Sequence, residues 1–127
     1  MEIGKLKTAE IHEAGSECNI SDPATGKPTD FFIMLMGADS REWRKNKKKQ
    51  TTAIIKAKSE DKIESLDYEK MDVDALVDAT ITWRGLSSNG KELKFSKKAA
   101  RELYENAPRV VTEVLIYISN NANFTKG

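Results

Sequence analysis

The chain has 127 residues, 32% of them charged and 39% hydrophobic, with a formal net charge of +1. That balance excludes a global basic field of the kind that draws nucleic acid, and it fits one soluble domain with a modest core. The single cysteine, Cys18, excludes an internal disulfide and fits a reducing compartment such as a cytoplasm. The longest apolar run, Phe31 to Met36, is too short to span a bilayer, and no apolar signal segment opens the chain.

In chain order, T-A-E-I-H-E over Thr8 to Glu13 alternates around Ala9, Ile11 and Glu13 and predicts a half-buried strand. Gly15-Ser16 turns the chain, and Glu17 to Ile20 predicts a second short strand with Cys18 as a small packed residue. Asp22-Pro23 and Thr25-Gly26-Lys27-Pro28 are turn chemistry. Asp30 to Met36, D-F-F-I-M-L-M, then reads as a central buried strand. The period changes at Gly37-Ala38-Asp39-Ser40. Asp39 with Glu42 three residues on resembles a capping box, and a helix carrying Trp43, Gln50, Ile54 and Ala57 on one side should end near Ser59.

Glu60 to Glu69 is polar and mixed, a linker or frayed turn. Asp72 is placed to cap a helix whose core face is Val73, Leu76, Val77 and Ile81. That helix should run on to Trp83 and stop at Gly85. Ser87 to Gly90 is a turn cluster, and Ser96 is an N-cap for a helix with Ala99, Ala100, Leu103, Tyr104 and Ala107 along one stripe. Pro108 ends it and can open the next helix, which has Val110, Val111, Val114, Leu115 and Ile118 as its stripe. The polar tail beyond it has Phe124 as an anchor. These elements compose an α+β fold, a small N-terminal antiparallel β-sheet of about three strands followed by about four α-helices. They imply a single domain over 1–127, with a β-rich part at 1–37, a helical part at 38–121 and a polar tail at 122–127.

No constellation of reactive groups stands out. His12 and Cys18 supply at most two metal ligands, where a structural zinc wants four. Asp72, Asp74 and Asp78 read as a cap and a solvated helix face rather than a carboxylate site. No catalytic, cofactor-binding or metal residue is therefore expected, and no cofactor. The strongest pattern is charge. Arg41 to Lys58 holds eight basic residues and one acidic, and Glu60 to Asp78 holds eight acidic and two basic. If the two lie on different faces, Arg44, Lys45 and Lys48 of one copy can meet Asp74 and Asp78 of the next and build a homo-oligomer. If they pack side by side, they neutralise each other within one molecule.

Two stretches resemble the tail assembly chaperones of long-tailed bacteriophages of the siphovirus type. The first is Ser21 to Arg44, with a D-P-x-T-G-x-P turn, an apolar strand, then G-x-D-S and a helix. The second is Thr82 to Pro108, with T-W-R-G-L, a short polar turn, L-K-F-S-K-K-A-A-R-E-L-Y and a proline. The resemblance implies a non-enzymatic protein that binds and solubilises the tape measure protein in the host bacterial cytoplasm during tail assembly and is absent from the mature virion. It implies also a possible contact with tail tube protein through a longer frameshifted form. It transfers no residue-level site. The expected coating surface is the stripe of the last two helices, Leu103, Tyr104, Val111, Leu115 and Ile118, with Tyr117 or Ile116 beside it. Ordinary core is the favoured reading of the same five residues, since helical stripes usually pack inward. Competing functions are a structural tail protein of the virion (a tube or tail-completion subunit) and a nucleic-acid-binding protein using the Arg41 helix. A membrane is not among the expected partners.

Overall fold

Ala9–Ala14 forms the first helix, α1, where alternation predicts a strand. Over six residues the two periods differ too little to decide. What decides is burial of one side chain: His12 is fully buried and stacks on Phe124, with ring centroids 4.9 Å apart. The computed structural model describes residues 1–125, so the last two residues of the expected polar tail lie outside the described residues. Phe124 is buried, as an anchor should be.

Strands β1 (Ser16–Ser21) and β2 (Pro28–Leu35) form the expected hairpin. Its turn is closed by the Asp22 carboxylate, which accepts from the Ala24 N–H at 2.8 Å. The third strand of the sheet comes from elsewhere. Thr80–Arg84 is β3, antiparallel to β2 and on its other side, giving the order β1-β2-β3. The helix expected to run through Ile81 to Trp83 is α3, Tyr68–Ala79, and it stops before them. Ile81 continues the helical spacing of Val73 and Val77, which conceals that Thr-Ile-Thr-Trp is a β-branched and aromatic run suited to a pleated surface. The chain is thus mixed α and β with a three-stranded antiparallel sheet, but helices lie on both sides of the sheet in sequence.

Gly85 ends this strand rather than a helix. Its φ is +85°, and a Cβ there would lie 1.9 Å from the carbonyl oxygen of Asp30, so only glycine fits. The turn cluster beyond it is a small hairpin of β4 (Ser87–Ser88) and β5 (Lys91–Glu92). Asn89 and Gly90 both have positive φ, the Asn-Gly requirement of a two-residue hairpin turn.

Helix α2, Arg41–Ser59, ends as expected, but its N-cap is Ser40, whose hydroxyl accepts from the Trp43 N–H at 3.3 Å. Asp39 is unavailable because its carboxylate accepts from the Thr8 hydroxyl. Asp67, not Asp72, caps α3 through the Lys70 N–H. Ser96 caps α4 (Lys97–Asn106), and Pro108 opens α5 (Pro108–Ser119), both as expected.

One face of the sheet (Cys18, Ile20, Phe31, Ile33, Leu35 and Trp83) shares a single apolar cluster with Val73, Leu76 and Val77 of α3, Ala100 and Tyr104 of α4, and Val114 and Ile118 of α5. Full burial of a side chain such as Ile33, Leu35 or Leu76 contributes about 1.5–3 kcal/mol. Helix α5 also covers the free edge of β1: the Tyr117 hydroxyl donates to the Glu17 carbonyl at 2.8 Å, and Glu113 accepts from the Ser21 N–H and hydroxyl. Covering an edge strand in this way blocks further strand pairing there.

Candidate interaction surface

The stripe expected to coat a partner is for the most part interior. Tyr104 and Ile118 are buried, with relative exposures of 2% and 1%, so neither belongs to a free surface. Leu103, Val111 and Leu115 are half-buried and pack against the core cluster. Helical stripes of this width pack inward because that is where the apolar area leaves water. The Tyr104 hydroxyl lies 2.7 Å from Thr80 Oγ1, and burial pushes its phenol up to about 12. Tyr117 is half-buried and tied to Ser16 and Glu17; desolvation raises its pKa, and the Ser16 hydrogen bond opposes the rise. Ile116 is the large apolar residue of this helix that faces solvent, at 63% exposure.

The two charged segments pack side by side, because α2 and α3 are antiparallel neighbours: Asn46 reaches Asp78 and Gln50 reaches the Met71 carbonyl. On the acidic side, Asp74 and Asp78 find partners within the molecule. Asp74 bonds Lys70 at 3.0 Å and Arg101 at 2.9 Å. Burial raises its pKa, but the hydrogen bonds from Lys70 and Arg101 outweigh that and hold it below the usual carboxylate range. Asp78 accepts from the Asn46 amide at 3.0 Å. Asp74 is thus held in ion pairs within the molecule, while Asp78 is exposed and its partner is a neutral amide. The basic side differs. Arg44 donates to the Asp39 carbonyl, while Lys45 and Lys48 are exposed and take part in no ion pair among the described residues. Between α2, α3 and the Arg101 end of α4 runs an open groove of about 480 Å³, lined by Gln50, Asp67, Met71 and Asp74 among others.

The outer face of the sheet is a surface that the sequence reading passed over. Register places Glu17, Met34 and Thr82 in one row and Asn19, Phe32 and Arg84 in the next. Arg84 stacks over the Phe32 ring at 4.1 Å and forks onto Glu17 at 2.9 and 3.2 Å. That hydrogen bonding lowers the Glu17 pKa and raises that of Arg84. Beside this clamp lies an open depression of about 720 Å³ lined by Ile11, Glu17, Phe32, Met34 and Phe124. Phe32 and Met34 are half-buried and Ile11 is 47% exposed, which makes a mixed apolar patch with a charged rim. The signal was in the sequence: D-F-F-I-M-L-M has two alternating sets, and only one can face the core.

Two groups that invite a chemical reading are structural. Cys18 is 2% exposed, and burial pushes its thiol up to about 12, with Glu113 adding to the rise; a thiol so held is a poor nucleophile. His12 accepts from the Asp39 N–H through Nδ1 at 2.9 Å, which puts the ring proton on Nε2, a buried atom without a hydrogen-bond partner. The missing side chain of Gly37 makes room for the ring, since a Cβ there would lie 2.2 Å from Nδ1. Among the described residues no group of three or more metal-ligating side chains converges, and no helix is long and apolar enough to cross a membrane. Comparison with known protein families, with curated proteins and with solved structures finds no match to this chain.

Proposed function

We propose that this chain is a tail assembly chaperone of a long-tailed phage, a non-enzymatic protein that binds the tape measure protein and keeps it soluble while tube subunits assemble. The observation that supports the reading is how the two stretches bearing the resemblance are built together. β2 belongs to the first and most of β3 to the second, and they pair directly, Phe32 with Arg84 and Ile33 with Trp83. Gly85, the glycine of T-W-R-G-L, is packed against the Asp30 carbonyl at the start of the apolar strand. Turn and cap signals that are common singly thus belong to one structural unit.

In this reading the tape measure protein is held by the outer sheet face, through Phe32, Met34 and Ile11, rather than by the buried α4–α5 stripe. A half-exposed apolar patch rimmed by charge suits an elongated amphipathic partner. Coating such a partner takes several copies along its length. The complex would form in the host cytoplasm and be absent from the finished virion, and a longer frameshifted form would bring in tube protein.

The test is co-expression with the tape measure protein of the same genome, followed by light scattering of the proteins alone and together. A soluble multi-copy complex is the expected result. A tape measure protein that precipitates regardless, beside a chain that forms stable tubes or rings alone, would make this a structural tail subunit instead.

A further inference from the structure

Helix α2 carries its charge on the side that the core does not use. It turns Trp43, Asn46 and Ala57 inward. The helical repeat places Arg41, Lys45, Lys48, Thr52 and Lys56 in one outward row, about 22 Å long at the helical rise, and all five are exposed. Of the cations in the row, only Arg41 approaches a carboxylate, Glu13 at 4.0 Å. Lys45, Lys48 and Lys56 take part in no ion pair among the described residues. On α3, Asp74 is taken up by Lys70 and Arg101, and Asp78 bonds Asn46 on the inward side of α2. Positive charge therefore concentrates on one helix face of a chain whose net charge is only +1. Within that face Ile55, one turn beyond Thr52, is 62% exposed.

We propose that the solvent face of α2 docks an acidic amphipathic α-helix of a partner protein, with Lys45, Lys48 and Lys56 as its charge contacts and Ile55 as its apolar contact. Cations recurring every three to four residues match carboxylates at the same spacing on a second helix. An aliphatic residue of that helix would cover Ile55. A phosphate backbone would leave it in water, which favours a protein over a nucleic acid. The positive end of the helix dipole reinforces the charge near Arg41 and Arg44. The inference stands apart from the chaperone reading, because it names a different face and a partner chemistry that does not depend on tape measure binding.

The experiment titrates the full chain into a fluorescein-labelled helical peptide with Glu at every third or fourth position and Leu between, read by anisotropy at roughly 50 and 200 mM salt. A short duplex DNA is titrated in parallel. Saturable peptide binding that weakens with salt is expected. Lys45→Glu with Lys48→Glu should weaken it by about tenfold or more, and Ile55→Ser by a few-fold. Lys94→Glu with Lys98→Glu changes net charge equally, at exposed positions elsewhere, and should leave binding unchanged. Circular dichroism establishes that each variant is folded. Absence of peptide binding overturns the proposal. So does equal loss from the Lys94/Lys98 variant, which would reduce the effect to net charge. Tighter binding to DNA with Ile55→Ser neutral would make the face a nucleic-acid site and overturn it too.

Discussion

The junction between α3, β3 and α4 is tied by Lys97, which donates to the Val77 and Thr80 carbonyls, and by a buried hydroxyl pair whose energetics can be worked out atom by atom. Thr80 is fully buried, and its Oγ1 donates to the Leu76 carbonyl at 2.6 Å. A threonine has one hydroxyl proton, so the 2.7 Å contact with Tyr104 must be the phenol donating to Thr80. Tyr104→Phe removes that donor, and Thr80 still satisfies Leu76; the cost should be about 1 kcal/mol. Thr80→Val preserves shape but leaves the Tyr104 O–H buried without an acceptor and removes the donor to Leu76. That should cost about 2 kcal/mol. In the double variant no orphaned phenol remains, so its cost should fall about 1 kcal/mol short of the sum. Urea unfolding followed by fluorescence of the buried Trp43 and Trp83 measures all three. In thermal melts 1 kcal/mol should correspond to about 4 °C. Two single variants that are neutral, or strictly additive losses, would refute the hydrogen-bonded geometry of the pair.

Four further outcomes are expected. Gly85→Ala should lose at least about 2 kcal/mol, since it combines a strained φ with a backbone clash at Asp30; calorimetry would detect it. His12→Ala strands the Asp39 N–H and opens a cavity while relieving the unpartnered Nε2, for a net loss of about 2–3 kcal/mol in urea unfolding; His12→Asn should recover part of it. The Cys18 thiol and Tyr104 phenol each hold their proton in the folded state up to about 12, against ordinary values of 9.0 and 10.0. The unfolded chain therefore binds fewer protons above pH 9, and stability should fall from there towards pH 12, by up to about 1.4 kcal/mol per pH unit for each group. Cys18→Ala should move the onset towards pH 10. Phe32→Ser with Met34→Ser should keep the fold, by circular dichroism, yet fail to keep co-expressed tape measure protein soluble; retained solubility would remove the sheet face from the proposed function.

Legibility in the sequence followed the range of the interactions. Ser96, Pro108 and the end of α2 at Ser59 were readable because caps and breakers act within one turn. β1 and β2 were readable because a turn-rich hairpin joins them. α1 was misread because its identity depends on His12 meeting Phe124, more than a hundred residues away. β3 was misread because Ile81 satisfies a helical repeat as well as a strand, and only pairing with β2 decides between them. The charge pattern was visible, but its partition was not. No spacing rule says that Arg101 would come to Asp74 and leave Lys45 and Lys48 unpaired. The outer sheet face was half legible: the alternation in Phe31 to Met36 gives β2 two faces, but Arg84 reaches Phe32 and Glu17 only because β3 pairs there.

The insertion of α2 and α3 between β2 and β3 has a consequence for synthesis on the ribosome. The β1–β2 hairpin is complete when Leu35 has emerged, but the strand that pairs with its second edge begins at Thr80, roughly 45 residues later. At about 5–20 residues per second, Phe31, Ile33 and Leu35 wait several seconds with an open edge beside them. The side of the hairpin next to β1 waits longer still for its cover, because Glu113 and Tyr117 of α5 come later than β3. During that interval the nascent chain displays an apolar strand with free backbone donors and acceptors. A ribosome-associated holdase would be expected to contact this chain between residues 35 and 80 and to release it once Trp83 has docked.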